Sequence, residues 1–237
     1  MSDGNTVASE GYGAAVAPTL YWGLDSTGRE VLWQLRRRIV DMVAQSGHPG
    51  RWREQFPWHT FLLFNPWWEA FERRSTEADT PGFNDDEIVA SAFDLSAYAK
   101  IERYPHIERW MGRGRAQDRI NRLLASLEQA PHHSYSQSYR PSWFWRLVFF
   151  HWFHRTRDQL RSKLMGADRS RNNSEAARTL GLHLCPERLR IVIVCALDCT
   201  EGSGWFLDAG WLAKVMASQC GGAVSTDLVA TLPQGSI

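Results

Sequence analysis

The sequence predicts an α+β protein, with a helix-rich N-terminal region and a small C-terminal sheet covered by helices. Apolar residues recur at helical spacing between Val31 and Val43. The C-terminal end reads strand, helix, strand, because two β-branched runs, 189–197 and 223–232, flank an amphipathic segment at 207–219. The first of these runs is apolar throughout, which is typical of an interior strand covered on both faces.

Length, composition and charge exclude several classes of protein. Of 237 residues, 43% are hydrophobic and 22% are charged, so wholesale disorder and collagen-like repetition are excluded. The formal net charge is +1, and we therefore do not expect a nucleic-acid partner. The chain begins without a signal-peptide pattern, and no apolar run reaches the length of a membrane span. We expect a cytoplasmic protein.

The first predicted elements alternate strand and helix. A capping box at Thr27 and Glu30 starts a helix that ends at Gly47. Strands are predicted before and after it, at 19–24 and 59–64. The polar face of this helix carries charged side chains that we expect to be solvated: Arg36, Arg37, Arg38 and Asp41.

Three more helices are predicted before residue 131. Pro66 suits the first turn of a short helix through 67–74, and an acidic loop at 76–86 precedes a helix from Glu87. Leucines at helical spacing predict another helix near 120–127.

The chain divides at a polar, proline-bounded segment. Residues 131–141, PHHSYSQSYRP, are predicted to be a linker between a region at 19–130 and a unit at 142–237. Residues 1–18 are predicted to be a disordered leader. A single fused domain is the alternative.

Tryptophan is unusually frequent, with 12 in the chain. Residues 142–165 are predicted to form one long helix, aromatic nearly all round in its first half and basic in its second. Such aromatics either fill a core, form a protein-binding surface, or enter a membrane surface beside basic residues. The candidate partner-binding residues are Trp67, Trp68, Trp143, Trp145, Arg155 and Arg157.

One constellation has the spacing of a metal site. His151, His154 and Asp158 share a helix face, where two imidazoles and a carboxylate are a ligand set for Zn²⁺. The positive charge of neighbouring arginines disfavours the binding of a metal cation, so the preferred interpretation is a solvated face without metal. No cofactor is expected. The four cysteines, all after residue 184, lack zinc-knuckle spacing and are interpreted as buried thiols.

The leading functional hypothesis is a protein-interaction module. None of the short motifs of nucleotide binding, hydrolysis or metalloproteolysis is present, which argues against an enzyme. An aromatic and arginine-rich surface is the composition of protein interfaces, so we expect a protein partner. Two alternatives stay open: a peripheral membrane protein anchored by residues 142–163, and an enzyme with a nonstandard site.

The C-terminal quarter resembles a unit of small uncharacterised bacterial immunity-like α+β proteins. The resemblance lies in SEAARTLGLHLCPERLRIVIVCALDCTEGSGWFLDAGWLAKVMASQCGGAVSTDLVA, in which a helix leads to a strand, an acidic-glycine turn, a helix and a closing strand. It implies an immunity-like role for the interaction module and transfers no functional residues.

Overall fold

The computed structural model describes residues 14–47, 52–64, 82–89, 93, 95–98, 104–111, 115–129, 140–166, 170–219 and 223–231. Its strands are β1 (Ala15–Val16), β2 (Thr19–Gly23), β3 (His59–Phe64), β4 (Ile88–Val89), β5 (His183–Leu184), β6 (Arg188–Ala196) and β7 (Ala223–Thr231). Its helices are α1 (Ser26–Gln45), α2 (Trp52–Gln55), α3 (Pro105–Met111), α4 (Ala116–Gln129), α5 (Ser142–His151), α6 (Phe153–Gly166), α7 (Ser170–Thr179) and α8 (Thr200–Gln219). The predicted α+β class is confirmed.

Five strands form one parallel sheet, in the order β4-β3-β2-β6-β7. The longest pairing joins β6 to β7 over the full length of both strands. A second, two-stranded sheet pairs β1 with β5, also in parallel. Parallel strands need crossover connections; α1 and α2 lie in the connection from β2 to β3, and α8 lies in the connection from β6 to β7.

Helices cover both faces of the sheet. On one face, Ile191 and Ile193 of β6 belong to a large core cluster with residues of α5 and α8. On the other face, Val192 and Val194 pack in a cluster with residues of α1 and α2. The continuous apolar run of β6 was predicted to mark an interior strand covered on both faces. This is confirmed, since side chains on both sides of β6 are buried.

The direction of winding reverses between β2 and β6. From β2 the chain steps outward to β3 and β4, then returns to place β6 on the opposite side of β2 and continues to β7. Helix α1 follows β2 on one face and α8 follows β6 on the other, and both helices begin at the carboxyl edge of these strands. Such a reversal is where open parallel sheets usually place a ligand crevice.

The sheet takes strands from both sides of the predicted linker. Strand β2, from the region 19–130, pairs with β6, from the unit 142–237, with Thr19 opposite Arg190 and Gly23 opposite Val194. The two segments thus share one sheet. Most of the predicted linker, and the helix predicted at 67–74, lie outside the described residues.

The predicted disordered leader is wrong for its last residues. Ala15 and Val16 form β1, and their backbone pairs with His183 and Leu184 of β5. The rest of the leader, up to residue 13, lies outside the part of the chain that the structure describes.

The single helix predicted at 142–165 is wrong, because the chain turns at Trp152. Helix α5 ends there and α6 begins at Phe153. The Thr156 hydroxyl donates a hydrogen bond to the Trp152 carbonyl oxygen at 2.8 Å, a back-bond of the kind that bends helices. The bend separates the aromatic α5, half of whose residues are buried, from the basic α6, in which exposed residues outnumber buried ones.

Helix α8 begins at Thr200, whereas the sequence predicted a turn over residues 198–204. Two glycines that suggested a turn are needed for packing inside the helix. A Cβ on Gly202 would lie 1.9 Å from the Ala196 carbonyl oxygen, and one on Gly204 would lie 2.7 Å from the Trp145 Cβ. The glycines let the start of α8 approach β6 and α5 closely.

The helix predicted from Glu87 is wrong, because the chain forms a strand there. Asp85–Glu87 form one turn of 3₁₀ helix, and Ile88 and Val89 then form β4. These two residues pair with Leu63 and Phe64 of β3 and are fully buried. β-Branched side chains at the sheet edge favour the strand.

Candidate functional site

The predicted partner-binding residues fall in different environments. Trp67 and Trp68 lie outside the described residues. Trp145 is completely buried, so its prediction as a contact surface is wrong: the side chain fills the core between α5 and α8. Trp143 is half-buried against the same core, and Arg155 is exposed. Arg157 is half-buried and bonds Asp158 at 2.8 Å.

The alternative interpretation of His151, His154 and Asp158 as a metal site is not supported, because the structure does not bring them together as a ligand set. Asp158 is engaged with Arg157, and the Nδ1 atom of His151 lies 2.6 Å from the Tyr98 hydroxyl. Within the described ranges, no group of three His, Cys, Asp or Glu side chains is placed to hold a metal ion. The His151 ring instead lies edge-on to the rings of Phe93 and Trp152.

An exposed apolar patch on α8 is the strongest candidate for a contact surface. Leu207 and Trp211, one helical turn apart, are 67% and 59% exposed, the two largest values among the large apolar side chains that the structure describes. The Phe153 ring of α6 lies 6.4 Å from the Trp211 ring, and Gly210 between the two residues opens onto free space. We call Leu207, Gly210, Trp211 and Phe153 the α8 patch.

The opposite face of α8 is built into the core, which fixes the patch in place. Trp205 is buried and its indole Nε1 donates to the Trp145 carbonyl oxygen at 2.6 Å. The Trp145 indole in turn donates to the Thr200 hydroxyl at 3.0 Å. The rings of Trp145 and Trp205 meet edge to face, 5.4 Å apart. Because α8 is held on this side, its outer face is presented without rearrangement.

A bidentate ion pair borders the α8 patch. The Arg146 guanidinium of α5 donates to both carboxylate oxygens of Asp208, at 2.8 and 3.0 Å. Asp208 follows Leu207 directly in the sequence. An apolar centre with a polar, arginine-containing border is the composition of protein–protein contact sites.

Strand β7 adds a second exposed feature. It is the last strand in the sheet order, and Leu228 and Val229 are 46% and 51% exposed. Leu228 pairs with Ile193, so it lies on the sheet face that α8 covers. The strand contains neither lysine nor proline, the residues that commonly blunt an edge strand against pairing.

The carboxyl edge, where the winding reverses, is filled by the chain's own polar groups. Asp25 follows β2 and caps α1, since its Oδ1 accepts from the Gly28 backbone N–H at 2.7 Å. Its Oδ2 accepts from the Ala196 backbone N–H, also at 2.7 Å, at the end of β6. The carboxylate thereby occupies the position between two helix N-termini where parallel sheets often bind anions.

The thiols near this edge are poorly suited to nucleophilic chemistry. The Cys199 sulfur accepts from the Gly202 backbone N–H at 3.2 Å and so caps α8. Burial raises the pKa of the Cys199 thiol to about 11 and that of Cys195 to about 12, so both stay protonated at neutral pH.

Glu201 is the unusual group of this edge. It is 6% exposed, and its Oε1 has no hydrogen-bond partner among the described residues. Burial, reinforced by the nearby Asp25 and opposed by Arg29, raises the pKa of Glu201 to about 7. The side chain is therefore partly protonated at neutral pH, although it is enclosed rather than open to a substrate.

Two adjoining cavities lie at the opposite, amino edge of the sheet, with volumes of about 200 and 250 Å³. Their shared walls are Pro57, Thr60, Asp86 and Lys163. We call the two cavities together the amino-edge cleft.

Behind the amino-edge cleft lies a buried ion pair. Arg36, completely buried, donates to Glu87 at 2.8 Å. Its guanidinium stacks within 5 Å of three aromatic ring centres: Trp52, Phe61 and Phe83.

Comparisons with protein-family models, curated proteins and solved structures give no match for this chain. None of the described helices combines the length and hydrophobicity needed to cross a membrane.

The sequence interpretation missed the α8 patch although a signal was present. Residues 207–219 were interpreted as amphipathic, yet Leu207 and Trp211 stand one turn apart on the side opposite the buried Ala209, Leu212 and Ala213. A helix that packs on the core with one face needs only that face to be apolar. Large apolar residues on the opposite face as well indicate a second contact surface.

Proposed function

We propose that the chain is a protein-interaction module that binds a protein partner through the α8 patch. The observation that carries this proposal is the exposure of Trp211 and Leu207 on a helix whose other face is locked into the core. Tryptophan is one of the residues enriched among the side chains that dominate binding energy at interfaces. Burying both side chains would remove a large apolar area from water.

An immunity-like role is part of this proposal. The resemblance of the C-terminal quarter to immunity-like bacterial proteins covers the segment that contains α8 and β7, the two elements that carry the exposed apolar residues. A protein that acts by stoichiometric binding needs a surface rather than a catalytic centre, and the α8 patch supplies one.

Peripheral membrane attachment is less well supported by the packing. The aromatic residues that would enter a lipid surface are largely buried in the core: Phe144, Trp145, Leu147, Val148 and Phe149. The side chains that α5 would need for that role are engaged within the protein itself.

The test is affinity capture from the native cells with three forms of the tagged protein: wild type, Trp211→Ala and Met42→Ala. Met42 is a matched control, since it is a large apolar side chain, 50% exposed, on α1 across the sheet. We expect one protein to co-elute in stoichiometric amount with wild type and with Met42→Ala, and to be lost with Trp211→Ala. Capture that is equal for all three forms would contradict the proposal.

A second measurement locates the surface. In the complex with the captured protein, we expect slowed amide hydrogen exchange in α8 and not in α1. Protection confined to α1 or α4 would show a protein partner bound at a different surface.

A further inference from the structure

The amino-edge cleft is a built cavity that the proposed protein interaction does not use. One of its cavities lies against Pro18, Thr19 and Leu189, at the start of β2 and β6, and against the end of α6. The other reaches Trp52, Arg53 and Glu87. The cleft thus lies where the parallel strands begin, at the side of the sheet opposite the closed carboxyl edge.

Lys163 stands at the junction of the two cavities. Its side chain is only 17% exposed, and its ammonium donates to the Asp86 carboxylate at 2.6 Å. An ammonium has three N–H donors, and Asp86 is the acceptor that the described residues supply. The two other N–H donors have no hydrogen-bond acceptor among the described residues.

Two residues of the cleft wall carry a ring nitrogen that is covered by the protein and has no hydrogen-bond partner among the described residues. The Trp52 indole Nε1, which can only donate, is buried without a hydrogen-bond partner among the described residues. The same holds for His59 Nδ1, and burial lowers the pKa of His59 to about 4, so this ring is neutral. The Glu87 carboxylate is already engaged, because its Oε2 accepts from Arg36 and from the Asn84 backbone N–H.

The cleft wall carries cationic as well as acidic side chains. Arg53 and Lys163 line it together with Asp86 and Glu87, and Arg36 lies directly behind Glu87. Two cations and two carboxylates thus line the cleft, and Arg36 compensates the charge of Glu87 from behind. Asp85, on the same 3₁₀ turn, is exposed and lies outside the cleft wall.

We propose that the amino-edge cleft binds a small oxyanion, a carboxylate or a phosphoryl group, with Lys163 and Arg53 as its main ligands. Asp86, which is 70% exposed, occupies the ammonium in the free protein and yields it when the anion binds. The exchange keeps the partly buried ammonium paired throughout, which avoids the cost of leaving its charge uncompensated. The site is independent of the α8 patch.

The chain offers a sharp probe, because it contains three lysines: Lys100, Lys163 and Lys214. We would label the lysine ε-carbons with ¹³C and titrate the protein with inorganic phosphate and, separately, with acetate, at an ionic strength held constant with sodium chloride. The Lys163→Met variant assigns the Lys163 signal. Lys214, exposed on α8, is the matched control.

We expect the Lys163 signal to shift saturably and the Lys214 signal to show no saturable change. Saturation with phosphate alone assigns a phosphoryl group, and saturation with acetate alone assigns a carboxylate. Equal, linear drifts of the Lys163 and Lys214 signals with both anions would overturn the proposal.

Two variants separate binding from a structural role of the ion pair. Arg53→Gln removes a cationic ligand and is expected to weaken anion binding about tenfold. Asp86→Asn removes the competing carboxylate and is expected to tighten binding, although it breaks the Lys163 ion pair. Weaker binding in Asp86→Asn, with the fold retained by circular dichroism, would contradict the exchange.

Discussion

The carboxylate of Asp25 accepts a hydrogen bond from the backbone N–H of Ala196 at 2.7 Å, across 171 positions of the chain. One side chain thereby joins the first strand–helix unit of the sheet to the last. The same carboxylate caps α1 through Gly28. Many parallel sheets have an open crevice where the direction of winding reverses, and here the side chain of Asp25 fills that position.

Replacing Asp25 by Ala is expected to lower the free energy of unfolding by about 2–4 kcal/mol. The change removes an N-cap and leaves the buried Ala196 N–H without its acceptor. Urea unfolding measures the loss, with Asp158→Ala, which removes an exposed carboxylate, as the control that should change stability by less than about 0.5 kcal/mol. Equal effects of the two substitutions would show that the Asp25 bonds contribute little.

Glu201 is expected to make stability fall as pH rises through the weakly acid range. Its pKa is about 7 in the folded chain against an ordinary 4.5, so between these values the folded state binds the additional proton. The free energy of unfolding should therefore decrease from pH 4.5 to pH 7, by about 3 kcal/mol at about 1.4 kcal/mol per pH unit, and then level off.

The Glu201→Gln variant isolates this contribution, since glutamine has a similar shape and does not titrate. Urea unfolding of both proteins across this pH range should show that the free energy of unfolding of the variant increases relative to that of wild type as pH rises. The contribution of Asp25, whose pKa burial also raises, cancels in the comparison to the extent that its surroundings are unchanged. A constant difference between the two proteins would mean that Glu201 titrates normally.

Much of the sheet could be predicted because its strands are buried on both faces. Strands β2, β3 and β6 were predicted within a residue or two of their ends. An uninterrupted apolar run, as in Ile191–Ala196, excludes a solvent-facing side and leaves few alternatives. Pattern alone does not say which strands are neighbours, so the pairing of β2 with β6 could not be predicted.

Arg36 shows where the periodicity was read incompletely. It was assigned to the solvated face with Arg37 and Arg38, yet it is completely buried. Its position lies on the same helical stripe as Leu32, Ile39 and Val43, so spacing placed it on the apolar face. Its carboxylate partner, Glu87, is 51 residues away, and a pairing of that range cannot be predicted from one sequence.

Removing either member of the buried Arg36–Glu87 pair is expected to be costly. Arg36→Met should lower the free energy of unfolding by about 3–5 kcal/mol, because the buried Glu87 carboxylate then keeps only the longer, 3.7 Å contact with Arg53. The double variant Arg36→Met, Glu87→Gln should recover part of this loss, since no uncompensated charge is left. A double-mutant cycle by urea unfolding tests the coupling, and additive effects would contradict it.

Two glycines of the same helix should respond to alanine in opposite ways. At Gly202 a Cβ would meet the Ala196 carbonyl oxygen at 1.9 Å, so Gly202→Ala must displace α8 from β6, and we expect a loss of at least about 3 kcal/mol. At Gly210 a Cβ would meet open space, and alanine should stabilise the helix by about 0.5–1 kcal/mol. Thermal unfolding of the two variants measures both signs. A mild effect at Gly202 would mean that the start of α8 can move away from β6, and the fixed position of the α8 patch would then have to come from the Trp145 and Trp205 contacts alone.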